Sequence, residues 1–325
     1  MNTGKRHMSR DEEEHSRHYD VLLDGGSFFD LIFTGLPGLP QLGREIFASK
    51  FDLVPGGAYT TAVALRRLGL TVGWVCDFGS DPFSKFALEA AQREGLDDAC
   101  FRFHPGPVRC ITVSLSYPRD RSFVTFRDNV APPTLDPLIQ QHHPRCVLLS
   151  CLQFGTATQE TLSIARAHQC VIYMDCQQPA ATLETQGVAE ALRGVDVFAP
   201  NLAEALHLTG MRSAEEALMC LAALTPLVLL KLGSDGALAC HEGKVIRQPA
   251  IGVNAVDTTG AGDCFNAGFL AGYVQGRPLE ECLAMATICG GLSTMAPGGT
   301  AAPTATEVAQ WLDQAAAGTH SGEEL

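Results

Sequence analysis

The chain has 325 residues, 46% hydrophobic and 18% charged, with a formal net charge of −13. That composition fits a folded globular protein, and the acidic balance argues against nonselective nucleic-acid binding, which draws its affinity from neutralised phosphates. No apolar run reaches the roughly 18 residues that span a bilayer, so neither nucleic acid nor membrane is expected as a partner, whereas a small anionic ligand stays open.

The opening MNTGKRHMSRDEEEHSRHYD mixes charges and lacks an apolar signal core, so residues 1–20 are expected to form a solvated tail. Leu31–Thr34 reads as the first strand. Tyr59–Leu68 has apolar residues at helical spacing and stops at Gly69, Thr71–Cys76 is a short strand, and Ser84–Glu94 is a helix ending at Gly95. The texture then changes. RCITVSLS (Arg109–Ser116) and SFVTF (Ser122–Phe126) are β-branched and aromatic, joined by YPRDR. That is a hairpin, which does not belong in a purely parallel sheet. It predicts a small accessory sheet shared with part of Glu45–Val54.

From Cys146 the alternation resumes. Strands are expected at Cys146–Cys151, Val171–Asp175, Val195–Ala199 and Leu227–Leu232, and helices at Gln159–His168, Leu202–Thr209 and Ala214–Ala223. Ala237–His241 reads as an antiparallel addition. Helices at Gly262–Tyr273, Leu279–Met295 and Ala305–Ala316 follow, and residues 319–325 read as a flexible end. Strands separated by helices of this length predict an α/β fold with a central, mostly parallel sheet covered on both faces. The twelve cysteines form no Cys-x-x-Cys pair and sit mostly in apolar runs. There they behave as small hydrophobes suited to a reducing cytoplasm.

The stretch NAVDTTGAGDCFNAGFLAGY, Asn254–Tyr273, carries the clearest chemistry. A helix's first N–H groups lack partners in the helix and sit at its positive dipole end. Gly260, Ala261 and Gly262 let a phosphate approach them without a bulky side chain in the way. Asp263, beside this anion hole, has the chemistry to take the proton of an attacking hydroxyl. On spacing alone, an ordinary glycine loop with an acid in the first helical turn explains it equally well.

DTTGAGDCFNAGF closely resembles the C-terminal signature of the ribokinase-like, or PfkB, carbohydrate kinases, in which the Asp of GAGD is the catalytic base. PGGAYTTAVALRRLG (Pro55–Gly69) resembles the family's N-terminal signature, and VGWVCDFGSDPF (Val72–Phe83) its strand and G-x-D-x-F segment. NLAEA (Asn201–Ala205) matches the family's N-x-x-E motif; taken alone it is a capped helix start. KLGSDGA (Lys231–Ala237) and MAPGGTAAP (Met295–Pro303) resemble its nucleotide-side turns.

The resemblance implies a ribokinase-like domain over 21–318, with a β lid from about 37–54 and 101–128, that phosphorylates a hydroxymethyl group using ATP and magnesium. Asp263 would be the base and Gly260, Ala261 and Gly262 the anion hole. Lys231, Gly233, Gly236, Gly298 and Gly299 would lie along the nucleotide, and Asn201 and Glu204 would hold magnesium through water. Asp257 and Thr259 lie where some members hold potassium. Members often pair as homodimers through the lid.

The acceptor end departs from the pattern. Many relatives carry an Asp soon after the first strand; FTGLPGLPQLGRE has none. The glycine signature keeps Gly56 and Gly57 but reads GGAYTTA, with Thr60 or Thr61 where relatives have Asn. Arg121 and Arg127 are either exposed strand arginines or ligands of an acidic acceptor. Asp175 is either a solvated strand-end acid or a site residue, and Lys231 is open in the same way. A sugar, a sugar acid or a nucleoside acceptor is compatible with this, as is a noncatalytic sugar- or nucleotide-binding protein that kept the fold.

Overall fold

The computed structural model describes residues 19–117, 121–177 and 180–320. Short aliphatic strands build the centre. β1 (Val21–Asp24) lies between β4 (Val72–Phe78) and β8 (Cys146–Leu149), both parallel to it. Beyond β8 come β9 (Val171–Asp175), β10 (Val197–Ala199) and β11 (Leu227–Lys231), all parallel. An antiparallel pair, β12 (Ala237–His241) and β13 (Lys244–Gln248), closes that edge; β5 (Phe101–Phe103) closes the other.

Period-two alternation decides which way each strand residue packs. Val21 and Leu23 join one buried cluster and Leu22 the other. The first cluster holds α1 (Ala58–Arg67), α8 (Ala261–Val274) and α9 (Leu279–Ser293) against the sheet through Leu65, Phe269 and Leu283. The second holds α3 (Asp136–His142), α4 (Thr156–Ala167), α5 (Val188–Arg193), α6 (Leu202–Thr209) and α7 (Ala214–Ala222) through Ile139, Leu162, Leu192 and Leu218. Each such side chain contributes about 1.5–3 kcal/mol by leaving water. Trp74 is fully buried, and its indole N–H is satisfied by the Gly25 carbonyl at 2.8 Å. The remaining helices are α2 (Pro82–Arg93) and α10 (Ala305–His320).

A second sheet has the order β3-β2-β6-β7, from β2 (Ser27–Thr34), β3 (Lys50–Gly57), β6 (Cys110–Ser116) and β7 (Arg121–Arg127). The β6–β7 hairpin is antiparallel as expected, and β2 pairs β6 in parallel. Its register sorts the side chains. Asp30, Thr112 and Thr125 line up on one face, where the two Thr hydroxyls meet at 3.0 Å. Phe29, Ile111 and Phe126 line up on the other, as do Leu31, Val113 and Val124.

Several boundaries differ from the sequence reading. The chain's first strand is Val21–Asp24; Leu31–Thr34 is the end of the first strand of the small sheet. The four residues VLLD are too few to show a period. Of the expected tail, residues 1–20, residues 1–18 lie outside the described residues, and Tyr19 is buried and belongs to the body. Ser27–Thr34 joins the lid, while Phe101–Phe103 pairs with β4 in the large sheet. The last helix runs on to His320, past the expected end at Ala316; residues 321–325 lie outside the described part.

Candidate active site

The carboxyl ends of β9, β10 and β11 and the front of α8 enclose a cleft of about 550 Å³. Open α/β sheets bind ligands at this edge. Asn201, Glu204, Lys231, Gly233 and Gly236 line it together with Ala261, Gly262 and Asp263. The three distant sequence segments that carry these residues thus converge on one space.

Gly260 caps α8 with φ 79°, a conformation open to glycine at little cost. Ala261 N–H bonds the Thr258 carbonyl at 3.3 Å and closes the turn. That corrects the expectation that all three residues offer their amides to a ligand. Gly262 and Asp263 occupy helix positions whose N–H groups have no partner within the helix, and Cys264 N–H to the Gly260 carbonyl is the first helical bond. The helix-start amides without a partner in the helix are therefore those of Gly262 and Asp263.

Asp263 is partly buried, and its Oδ1 accepts the Thr61 hydroxyl at 2.9 Å. Burial pushes its carboxyl up to about 7, with the Asp175 charge adding to the rise and the Thr61 hydrogen bond and Lys231 opposing it. Thr61, not Thr60, makes this contact, and Thr60 is buried in α1.

Asn201 and Glu204 form a reciprocal cap at the start of α6. Glu204 N–H donates to Asn201 Oδ1 at 2.9 Å, and Asn201 N–H donates to Glu204 Oε2 at 2.8 Å. The capped helix start is real, and both residues also face the cleft. Asp175 is buried with both oxygens engaged. Oδ1 accepts from Lys231 Nζ and Cys176 N–H, each at 2.8 Å, and Oδ2 accepts from Asn266 Nδ2 at 2.7 Å. Asp257 Oδ1 takes the Thr259 N–H and hydroxyl, and Oδ2 takes the Gly298 N–H at 2.9 Å. This stitches the loop before α8 to the turn Gly298–Ala301, which contains Gly299.

The small-sheet side of the site holds a residue the sequence reading missed. A Cβ on Gly56 would fall 2.3 Å from Asp30 Oδ2, so the glycine is what admits this carboxylate. Burial pushes Asp30 up to about 6, helped by the Asp257 charge, and Asp30 in turn opposes ionisation of Asp263. The inference that no acid follows the first strand is corrected: with the strand at Val21–Asp24, Asp30 stands six positions beyond its end. The signal was present in SFFDLIF, but that stretch was split by a strand begun at Leu31. Gly57 caps α1 beside Phe28. Arg127 is exposed on the lid, its guanidinium 5.1 Å over the Phe28 ring. The Arg121 side chain lies outside the described residues.

A parallel sheet edge bearing a glycine turn and an acid, capped by a separate small sheet, defines the ribokinase-like architecture. The model of the pfkB family carbohydrate kinases matches residues 42–306. The chain belongs to that family. It is 23% identical over 293 residues to a ribokinase of Haemophilus influenzae, covering 86% of this chain and 94% of that protein. It is 32% identical over 268 residues to a fructokinase of Klebsiella pneumoniae, covering 75% and 87%. The fold matches that of Arabidopsis thaliana ribokinase complexed with ribose and ATP, with a TM-score of 0.74 and 22% identity over 90% of this chain and 97% of that one. Among the described residues no helix is long and apolar enough to cross a membrane.

Proposed function

We propose that this protein is an ATP-dependent phosphotransferase acting on a hydroxymethyl group of a sugar, sugar acid or related small molecule. One observation carries the reading: Asp263 stands at the helix-capped end of the cleft, held by Thr61 and within the field of Asp30. The nucleotide lies along the cleft, with its terminal phosphoryl group at the Gly262 and Asp263 amides, where they stabilise developing charge. Asp263 takes the proton of the attacking hydroxyl, and Thr61 fixes which oxygen faces the acceptor. Asp30, Gly56 and Gly57 orient the acceptor from the opposite side, and Arg127 is placed to meet an anionic one.

Asn201 and Glu204 suit a magnesium ion held through water, which when bound neutralises phosphate charge. Asp257 and Thr259 are assigned to potassium on the strength of the sequence pattern. The face of the small sheet that carries Asp30 excludes water from the acceptor. The opposite face leaves Phe51, Val124 and Phe126 exposed, which supports pairing of two chains through the lid.

The test is ADP formation across sugars, sugar acids and nucleosides with magnesium and potassium present. Acceptor-dependent ADP release is expected with a compound bearing a primary hydroxyl. Tight binding without turnover across the whole panel would contradict the reading and favour a noncatalytic binding protein.

A further inference from the structure

β11 ends four buried aliphatic residues with a lysine, Lys231, whose side chain is only 12% exposed. An ammonium so far out of water must be paired and hydrogen-bonded. Its partners come from other elements. Asp175 on β9 accepts at 2.8 Å, and Asn266 Oδ1 on α8 lies at 3.4 Å. Asn266 is locked in turn: its Nδ2 donates to Asp175 Oδ2 at 2.7 Å, and its Oδ1 accepts from the Tyr173 hydroxyl at 2.7 Å. The four side chains form a closed network in which the amide of Asn266 can point only one way.

The network's location is electrostatically odd for a purely structural pair. A Cβ on Gly262 would lie 3.6 Å from Lys231 Nζ, which sets the ammonium against the second residue of α8. That end of a helix already carries roughly half a positive charge. Asp175 compensates the ammonium, and the ammonium and the helix start together present positive potential to an anion entering between them. Lys231 also lines the cleft with Asn201, Glu204 and Asp263. Asp175 takes one N–H of the ammonium at 2.8 Å, and an ammonium has three N–H groups to share.

We infer that Lys231 reads the terminal phosphate of the nucleotide. Asp175 and Asn266, backed by Tyr173, position its ammonium at Gly262 so that it bonds an oxygen of the third phosphate, which ADP lacks. Asp175 is then the seat of Lys231 rather than an acceptor ligand. The inference rests on the kinase reading above.

Binding titrations with the β,γ-imido analogue of ATP and with ADP, each with magnesium and without acceptor, test it. The native protein should prefer the triphosphate. Lys231→Met should weaken the triphosphate roughly 10- to 100-fold, the scale of a charge-assisted hydrogen bond, and ADP by less than about threefold. Asn266→Ala should lower the same preference by a smaller factor. Because Lys231→Met alone strands the Asp175 charge, the double variant with Asp175→Asn provides a folded control, checked by its melting temperature. Equal weakening of both nucleotides in that folded double variant, or no change in either, would overturn the inference while leaving the kinase reading intact. Failure of the native protein to bind either nucleotide would overturn both.

Discussion

Asp263 is where the chemistry and the cost of the fold meet. Its carboxyl sits at about 7 in the folded chain, against an ordinary value of 3.8. The folded state therefore keeps a proton that the unfolded state releases as pH rises from about 4 to 7, so stability falls across that window. Asp263→Asn should abolish the fall and raise stability at pH 8 by about 1–3 kcal/mol, read by denaturant titration at pH 5 and pH 8. A larger gain at pH 5 than at pH 8 would contradict this sign. Activity should run the other way: kcat/KM should rise with pH through about 7 as the base ionises. Across the site, Gly56→Ala would drive a methyl group into Asp30. The expected result is a rise in KM for the acceptor with KM for ATP unchanged. Asp263 was legible because a helix start, small residues and an acid are contiguous in sequence. Asp30 was not, and Thr61 was legible only as one of two candidates with Thr60, since their roles depend on a register and a helix rotation that bring together residues far apart in the chain.

At the scale of elements, α8 and α9 show how small residues set the site. A Cβ on Gly268 would fall 2.7 Å from both Cys289 Sγ and the Met285 carbonyl oxygen. The two helices thus approach almost backbone to backbone, which fixes where the front of α8 meets the cleft. Gly268→Ala should cost about 1–3 kcal/mol by overpacking, measured by thermal melting, and should lower activity if the front of α8 shifts. A melting temperature equal to that of the native protein would refute this account of the pair. Longer amphipathic helices such as α1 and α2, expected at Tyr59–Leu68 and Ser84–Glu94, were read within two residues, because their apolar spacing is intrinsic. The short elements β5, β13, α3 and α5 were missed: three to seven residues do not carry a period, and they exist because neighbours supply pairing or cover.

At the scale of the whole molecule, the hairpin predicted a second sheet, but not its parallel seam between β2 and β6, which joins segments about eighty residues apart. Nonlocal pairing of that kind is invisible to local pattern. The seam sets Asp30, Thr112 and Thr125 on one face of the lid and Phe29, Ile111 and Phe126 on the other. If the latter face joins two chains, sedimentation should report a dimer, and Val124→Asp with Phe126→Asp should shift it to monomer. A monomeric native protein at micromolar concentration would remove that assignment and leave the site untouched. The most direct test of the central claim is the rate of acceptor-dependent ADP formation in Asp263→Ala beside the native enzyme, with a matched melting temperature as the folding control. The account predicts a loss of roughly 10²–10⁴-fold with nucleotide binding retained. A folded variant turning over within threefold of the native rate would contradict it.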